Sequence, residues 1–199
     1  MRGYCFLSAV PMRAEASDRS EMVNQLVLGD TVEVLDRQEK WSLVKSDYDG
    51  YEGWVDNKQY APFEDAASLA ESLFLGTPYL WGGRSTGGID CSGLTQICFK
   101  AKGIWLPRDA SQQATCGVEV CGCDIQRDDL AFFTSATTQS LSHSVTQSPK
   151  ITHVGICMGD GRIIHASGQV RIDTLDTLGI LVEKTGTYSH QLITIRRVK

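Results

Sequence analysis

No apolar run in this sequence approaches the roughly 18 residues that a membrane-crossing helix requires, so no helical membrane span is expected. Basic residues are too few for a polyanion binder: 19 Lys and Arg stand against 24 Asp and Glu, a formal net charge of -5. Nucleic acid and anionic membrane surfaces both call for a basic face, so neither is expected as a partner. The opening stretch MRGYCFLSAVPMR lacks the long apolar core of a secretory signal, which leads to the expectation of a cytoplasmic protein. A disulfide framework is missing too. The seven cysteines are odd in number and irregularly spaced, a usage natural to a reducing compartment. Cys116, Cys121 and Cys123 in CGVEVCGCD lack the paired spacing of structural zinc sites, and no metal is expected there. No internal repeat is found.

What remains is an ordinary globular composition, 42% hydrophobic and 22% charged over 199 residues, enough for a small domain and a medium one. From residue 4 to about 60 the pattern is of short strands. TVEVLD (31–36) and WSLVKS (41–46) alternate apolar and polar residues, DYDGYEGWVD (47–56) supplies a turn and a further strand, and LGD (28–30) is a turn signal. Four or five such strands predict a small β-barrel over 1–60. Pro62 then breaks the pattern. Ala66, Leu69, Ala70, Leu73 and Phe74 recur at helical spacing until Gly76 and Pro78, which puts a domain boundary near residue 61.

A second helix is predicted from GGIDCSGLTQ, with Asp90 as N-cap, Leu94, Ile97, Cys98 and Ala101 as its apolar face and Gly103 at its end. Strands are predicted at 129–134, 152–158, 161–167 and 191–198, and Cys157, like Cys98, reads as a small core hydrophobe. The Ser, Thr and Gln-rich segment 134–150 reads as a surface insertion, with His143 a solvated residue in it.

If Asp90 caps the helix, Cys91 is its first residue, where free backbone N–H groups and the positive end of the dipole pull a thiol toward thiolate. A buried cysteine at a helix start is the competing reading, and a nucleophile needs a base. His153 and His165 lie in consecutive strands around MGDG (158–161). A three-residue loop would oppose them directly, close enough for one imidazole to orient the other, whereas a two-residue Asp160–Gly161 turn would break that pairing. Either histidine alone also suits a sheet edge. His190 has no comparable partner and reads as structural.

These residues carry a resemblance. GTPYLWGGRSTGGIDCSGL (76–94), LPRDASQQ (106–113) and HVGICMGDGRIIHASG (153–168) resemble the NlpC-type papain-like cell-wall cysteine peptidases, and the N-terminal stretch is similar to the bacterial SH3-like domain that precedes that module in γ-D-glutamyl-L-diamino-acid endopeptidases. The resemblance implies an α+β chain: an SH3-like β-barrel over 1–60, then a papain-like domain over 61–199 with helices packed on an antiparallel sheet and the nucleophile at a helix N-terminus. It implies Cys91 as nucleophile, His153 as base, His165 as the residue orienting it and Tyr79 as an oxyanion-stabilising hydroxyl beside the Cys91 N–H. Trp81 would wall the cleft, and Asp90, Ser92, Arg108 and Asp109 would line the substrate pocket. Asp90 serves equally as a simple N-cap, and Arg108 with Asp109 as a surface ion pair. No cofactor is implied. The implied substrate is a murein stem peptide, and a monomer is expected. In relatives with the SH3-like partner the barrel closes one end of the cleft and selects a free L-Ala amine, for which Asp109 is the candidate carboxylate. Tyr51, Glu15 and Glu21 are barrel residues considered for the lip, the two acids suiting a solvated face as well. An amidase or acyltransferase of the same fold, and a wall-binding module with an inactive catalytic domain, are the alternatives.

Overall fold

A computed structural model describes residues 1–62, 65–135 and 150–199 of the chain, so most of the polar insertion, with His143, lies outside the described residues. Two compact units emerge: residues 1–65 with 97–105, and residues 66–96 with 106–199.

The first unit is an SH3-like β domain of seven antiparallel strands: β1 (Arg2–Cys5), β2 (Ala9–Arg13), β3 (Met22–Val27), β4 (Thr31–Arg37), β5 (Trp41–Ser46), β6 (Glu52–Asp56) and β7 (Tyr60–Pro62). They run side by side in the order β3-β2-β6-β5-β4-β1-β7. The alternation seen in the sequence buries Val32, Val44 and Val55 against Val10, Met12 and Leu26. At the LGD turn Gly29 takes a positive φ of 82°, and the Asp30 carboxylate accepts the Val27 N–H at 2.7 Å.

The second unit opens with α1 (Ala66–Phe74), whose Ala66 and Ala67 N–H groups are accepted by the Asp128 carboxylate at 3.1 and 2.9 Å, so that a distant residue satisfies the helix start. A short hairpin of β8 (Arg84–Ser85) and β9 (Gly88–Ile89) leads into α2 (Cys91–Ala101), of which the part up to Gln96 belongs to this unit, and the single turn α3 (Ala110–Gln113) follows. The rest is antiparallel sheet: β10 (Val118–Glu119), β11 (Leu130–Ser135), β12 (His153–Gly159), β13 (Arg162–Ser167), β14 (Gln169–Leu175), β15 (Gly179–Val182) and β16 (Thr187–Arg197). The order β16-β11-β12-β13-β14-β15 closes on itself through a β15–β16 pairing, with β10 alongside β16. One face of this sheet holds Ala131, Phe133, Cys157, Ile163, Ile180 and Ile195; Leu130, Phe132, Ile156 and Ile164, equally buried, point the other way. Burial on both faces is why β11 and β12 read as continuous apolar runs. Cys98 and Cys157 are core residues, and burial pushes the Cys157 thiol up to about 12.

The β12–β13 hairpin takes the two-residue turn rather than the three-residue loop, with a bulge beside it. Asp160 and Gly161 form the two-residue turn, with φ of 51° and 74°, and Gly159 pairs with Arg162. A bulge between Cys157 and Gly159 then shifts the register, so that Gly155, not His153, lies opposite His165. Strands β14 and β15 had no counterpart in the sequence reading, and β16 starts before the predicted residue 191.

Candidate active site

Cys91 begins α2 and is 6% exposed. The turn before it is fixed by Asp90, whose Oδ1 accepts the Gly93 N–H and whose Oδ2 accepts the Gly82 N–H, both at 2.7 Å. Arg108 grips the same carboxylate with both terminal nitrogens, at 3.0 Å to Oδ1 and 2.5 Å to Oδ2, and also donates to Ser92 Oγ at 2.8 Å. Burial pushes the Asp90 carboxyl up, but Arg108 and the two N–H groups outweigh it and hold the group below the usual carboxylate range. Asp90 is thus the N-cap and a charge anchor together, and the partner of Arg108 is this buried acid rather than a surface ion pair.

Gln113 locks the same turn from behind. Fully buried, it donates to the Ser92 and Pro107 carbonyls at 3.0 and 2.9 Å and accepts the Thr95 hydroxyl at 2.7 Å. In front of the helix start opens a cavity of about 510 Å³ lined by Tyr79, Trp81, Asp90, Cys91, Ser92, Arg108 and Asp109 together with Lys150 to Thr152. Seven of the residues singled out in the sequence therefore meet at one cleft. Trp81 is 86% exposed, which rules out a core role. Tyr79 is held by its N–H on the Gly168 carbonyl at 2.9 Å, and burial, then the neighbouring Cys91 and Asp90, raise its phenol. Asp109 is exposed and caps α3, where its N–H is accepted by the Gln112 side chain at 3.3 Å. Tyr51 lies in the other unit, half-exposed just before β6; Glu15 and Glu21 are in that unit as well.

The histidines approach from the sheet. Nε2 of His153 is 2.8 Å from Nδ1 of His165, and Nε2 of His165 is 2.9 Å from Oδ2 of Asp173. Because of the shifted register His153 and His165 are diagonal neighbours, a spacing imidazoles can bridge. Gly155 makes room for this: a Cβ there would lie 2.7 Å from Ile163 Cδ1 and 3.0 Å from His165 Cβ. Ile151 and Thr152, which lead directly into His153, line the same cavity as Cys91, which brings the thiol to the start of the strand carrying the histidine.

Protonation differs from the expectation of a preformed thiolate. Burial raises the Cys91 thiol, with the Asp90 charge adding to it, against the smaller opposing pull of the Val154, Ser92 and Cys91 N–H groups. Burial first, then His190 and His165, hold His153 well below its ordinary value. Near pH 7 the resting pair is a neutral thiol and a neutral imidazole.

Two of these residues were not identified from sequence. His190 stacks on His153, with ring centroids 4.1 Å apart and planes at 21°, instead of standing alone. Burial lowers it to about 4. Asp173 was missed because β14 was missed, although QVRIDTL alternates polar and apolar residues as a strand should. Cys121 and Cys123 lie apart from the cleft residues, their sulfurs 3.4 Å from each other, and Cys116 is half-buried.

Comparison with known proteins follows the same division of the chain. Residues 76–187, more than half of it, match the NlpC/P60 family, and residues 12–59 match the bacterial dipeptidyl-peptidase SH3 domain. A γ-D-glutamyl-L-lysine dipeptidyl-peptidase of Bacillus cereus is 37% identical over 128 residues, which are 63% of this chain and 36% of the relative. One of Bacillus subtilis is 34% identical over 152 residues, 73% of this chain and 47% of the relative. The chain thus spans less than half the length of these curated relatives. The crystal structure of an NlpC/P60 family protein from Bacillus cereus matches with a TM-score of 0.63 at 25% identity, covering 98% of this chain and 62% of that one.

Proposed function

This chain belongs to the NlpC/P60 family, and from that membership we propose that it is a cysteine peptidase of murein stem peptides, hydrolysing the bond between γ-D-glutamate and the diamino acid that follows. The observation that carries the reading is that Cys91 at the α2 start shares one cavity of about 510 Å³ with the residues leading into the strand that bears His153, whose Nε2 is held by His165.

The chemistry follows from which nitrogen is occupied. Nε2 of His153 is engaged by His165, so Nδ1 is the nitrogen left for the thiol. As the substrate carbonyl arrives, His153 takes the Cys91 proton and the sulfur attacks. The tetrahedral oxyanion is met by the Cys91 N–H at the positive end of α2 and by the Tyr79 hydroxyl. His153 then returns the proton to the leaving amine, and water, activated by the same imidazole, resolves the thioester. Ser92 and Arg108 hold the Asp90 turn rigid while this happens. No step requires a metal or organic cofactor.

Two names support the choice of bond: the matched relatives are γ-D-glutamyl-L-lysine dipeptidyl-peptidases. The free-amine requirement belongs to the same proposal, with the exposed Asp109 carboxylate in the cleft as the group for a substrate ammonium. A role in recycling of stem peptides inside the cell is supported by seven free cysteines, which suit a reducing compartment. The test is incubation with L-Ala-γ-D-Glu-L-Lys and its diaminopimelate counterpart, read by mass spectrometry beside Cys91→Ala. Release of L-Ala-γ-D-Glu that the variant abolishes is the expected result; cleavage elsewhere, or cleavage that persists in the variant, would overturn the assignment.

A further inference from the structure

Resting on the peptidase reading above, we infer that Asp173 is a positioning residue that sets the tautomer of both histidines and so leaves His153 with a free lone pair on Nδ1 to serve as the base for Cys91. His165 is fully buried, and each of its ring nitrogens has a single partner: His153 on Nδ1, Asp173 on Nε2. A carboxylate only accepts, so the His165 proton sits on Nε2. Nδ1 of His165 is then an acceptor, and the proton of the 2.8 Å bond comes from Nε2 of His153. Neutral imidazole carries one ring proton, so Nδ1 of His153 is left with its lone pair. One acceptor at the end of the row therefore dictates the state of a ring two strands away.

The placement is built into the sheet. His165 lies opposite Gly155 on β12 and opposite Arg171 on β14. His153 and Asp173 are each displaced two residues from those opposed positions, in opposite directions, so the three side chains form a diagonal across β12, β13 and β14. Arg171 Nε also lies 2.7 Å from Asp173 Oδ2, but its N–H is not aligned for a hydrogen bond, so the aligned donor on that oxygen is His165. Arg171 supplies a neighbouring positive charge, and Asp173 supplies the directional acceptor.

The test reads the rings themselves. The chain has four histidines, so imidazole ¹⁵N spectra of the uniformly labelled full-length protein can be assigned with His153→Gln and His165→Gln variants. At pH 7.5 both His153 and His165 are expected as Nε2–H tautomers. Asp173→Leu should mix the tautomers of the two rings together and lower kcat on L-Ala-γ-D-Glu-L-Lys by about 10- to 100-fold, the range over which such supporting partners act, with KM little changed. Asp173→Asn, which keeps an acceptor oxygen, should restore the Nε2–H tautomers and most of kcat. An Nδ1–H tautomer at His165 in the unaltered protein overturns the proposal even if the leucine variant fails to fold, as does a leucine variant with unchanged ring states. Absence of turnover in the unaltered protein would instead defeat the peptidase reading, and the ring spectra would still decide the role of Asp173.

Discussion

A single methyl group added at Gly155 should misplace His165 more than it unfolds the domain. The new Cβ would stand 2.7 and 2.8 Å from Ile163 Cδ1 and Cγ1 and 3.0 Å from His165 Cβ. Relaxed carbon contacts lie at about 3.5–4.0 Å, so Ile163 must yield by about 0.8 Å and His165 by about 0.5 Å. Ile163 is fully buried among Cys157, Leu175 and Ile180 and has little freedom to yield. Overpacking of this kind costs about 1–3 kcal/mol, and a chain of this length loses about 2–4 °C of Tm per kcal/mol. The larger effect is on the 2.8 Å bond between His153 and His165, which a shift of about 0.5 Å would stretch to the long edge of the hydrogen-bond range and weaken. We expect Gly155→Ala to lower kcat by about 10- to 100-fold at nearly constant KM, measured by steady-state cleavage of L-Ala-γ-D-Glu-L-Lys beside a thermal melt. Ile163→Val removes Cδ1, the nearest clashing atom. Alone it should cost about 0.5–1.5 kcal/mol, but in the Gly155→Ala background it should recover stability and part of kcat. A Gly155→Ala protein with unaltered Tm and kcat, or strict additivity of the two substitutions, would refute the reasoning.

Cys91→Ala should abolish cleavage while leaving the melt nearly unchanged, since it exchanges a buried neutral thiol for a methyl at a helix start; circular dichroism and product analysis check both halves. Arg108→Ala leaves a buried carboxylate with its two backbone donors and a long Ser92 hydroxyl bond but no countercharge, and should lower stability by about 1–3 kcal/mol, with Arg108→Lys recovering only part because it cannot grip both oxygens. The pH profile of kcat/KM should have its acid limb below pH 6.5: the base works when unprotonated, and burial with His190 and His165 holds His153 well below its ordinary value. An acid limb near neutrality would contradict this. Stability should fall as pH drops from 6.5 toward about 4, because the unfolded chain binds the His190 proton first and the folded chain only near about 4; melts across that window in Cys91→Ala and in Cys91→Ala with His190→Phe would show the loss diminished in the latter.

The barrel strands and both long helices were legible from their apolar spacing, although α2 proves buried on nearly all sides, Thr95 and Phe99 included. Cys91, Asp90 and Tyr79 were legible through motifs short enough to be read locally. The histidine pair was anticipated for an incomplete reason. Of the two loops considered from the sequence the hairpin takes the two-residue Asp160–Gly161 turn, which opposes Gly155 to His165 once a bulge at Cys157–Gly159 is added, yet the histidines still meet on the diagonal. A bulge has no signature in periodicity, since it depends on how neighbouring strands are paired. His190 and Asp173 escaped because their partners come from strands distant in sequence, and closure of the sheet through β15 and β16 is a tertiary event. The thiol was expected to lean toward thiolate from its helix position, yet burial, with the Asp90 charge, outweighs the neighbouring N–H groups.

The most direct test of the proposed function is cleavage of L-Ala-γ-D-Glu-diaminopimelate and its N-acetylated form by the full chain, beside Cys91→Ala, with products identified by mass spectrometry. Release of L-Ala-γ-D-Glu from the free-amine peptide alone, lost in the variant, is the predicted result. Equal cleavage of both peptides would contradict the amine requirement. No Cys91-dependent cleavage of either would contradict the peptidase assignment itself.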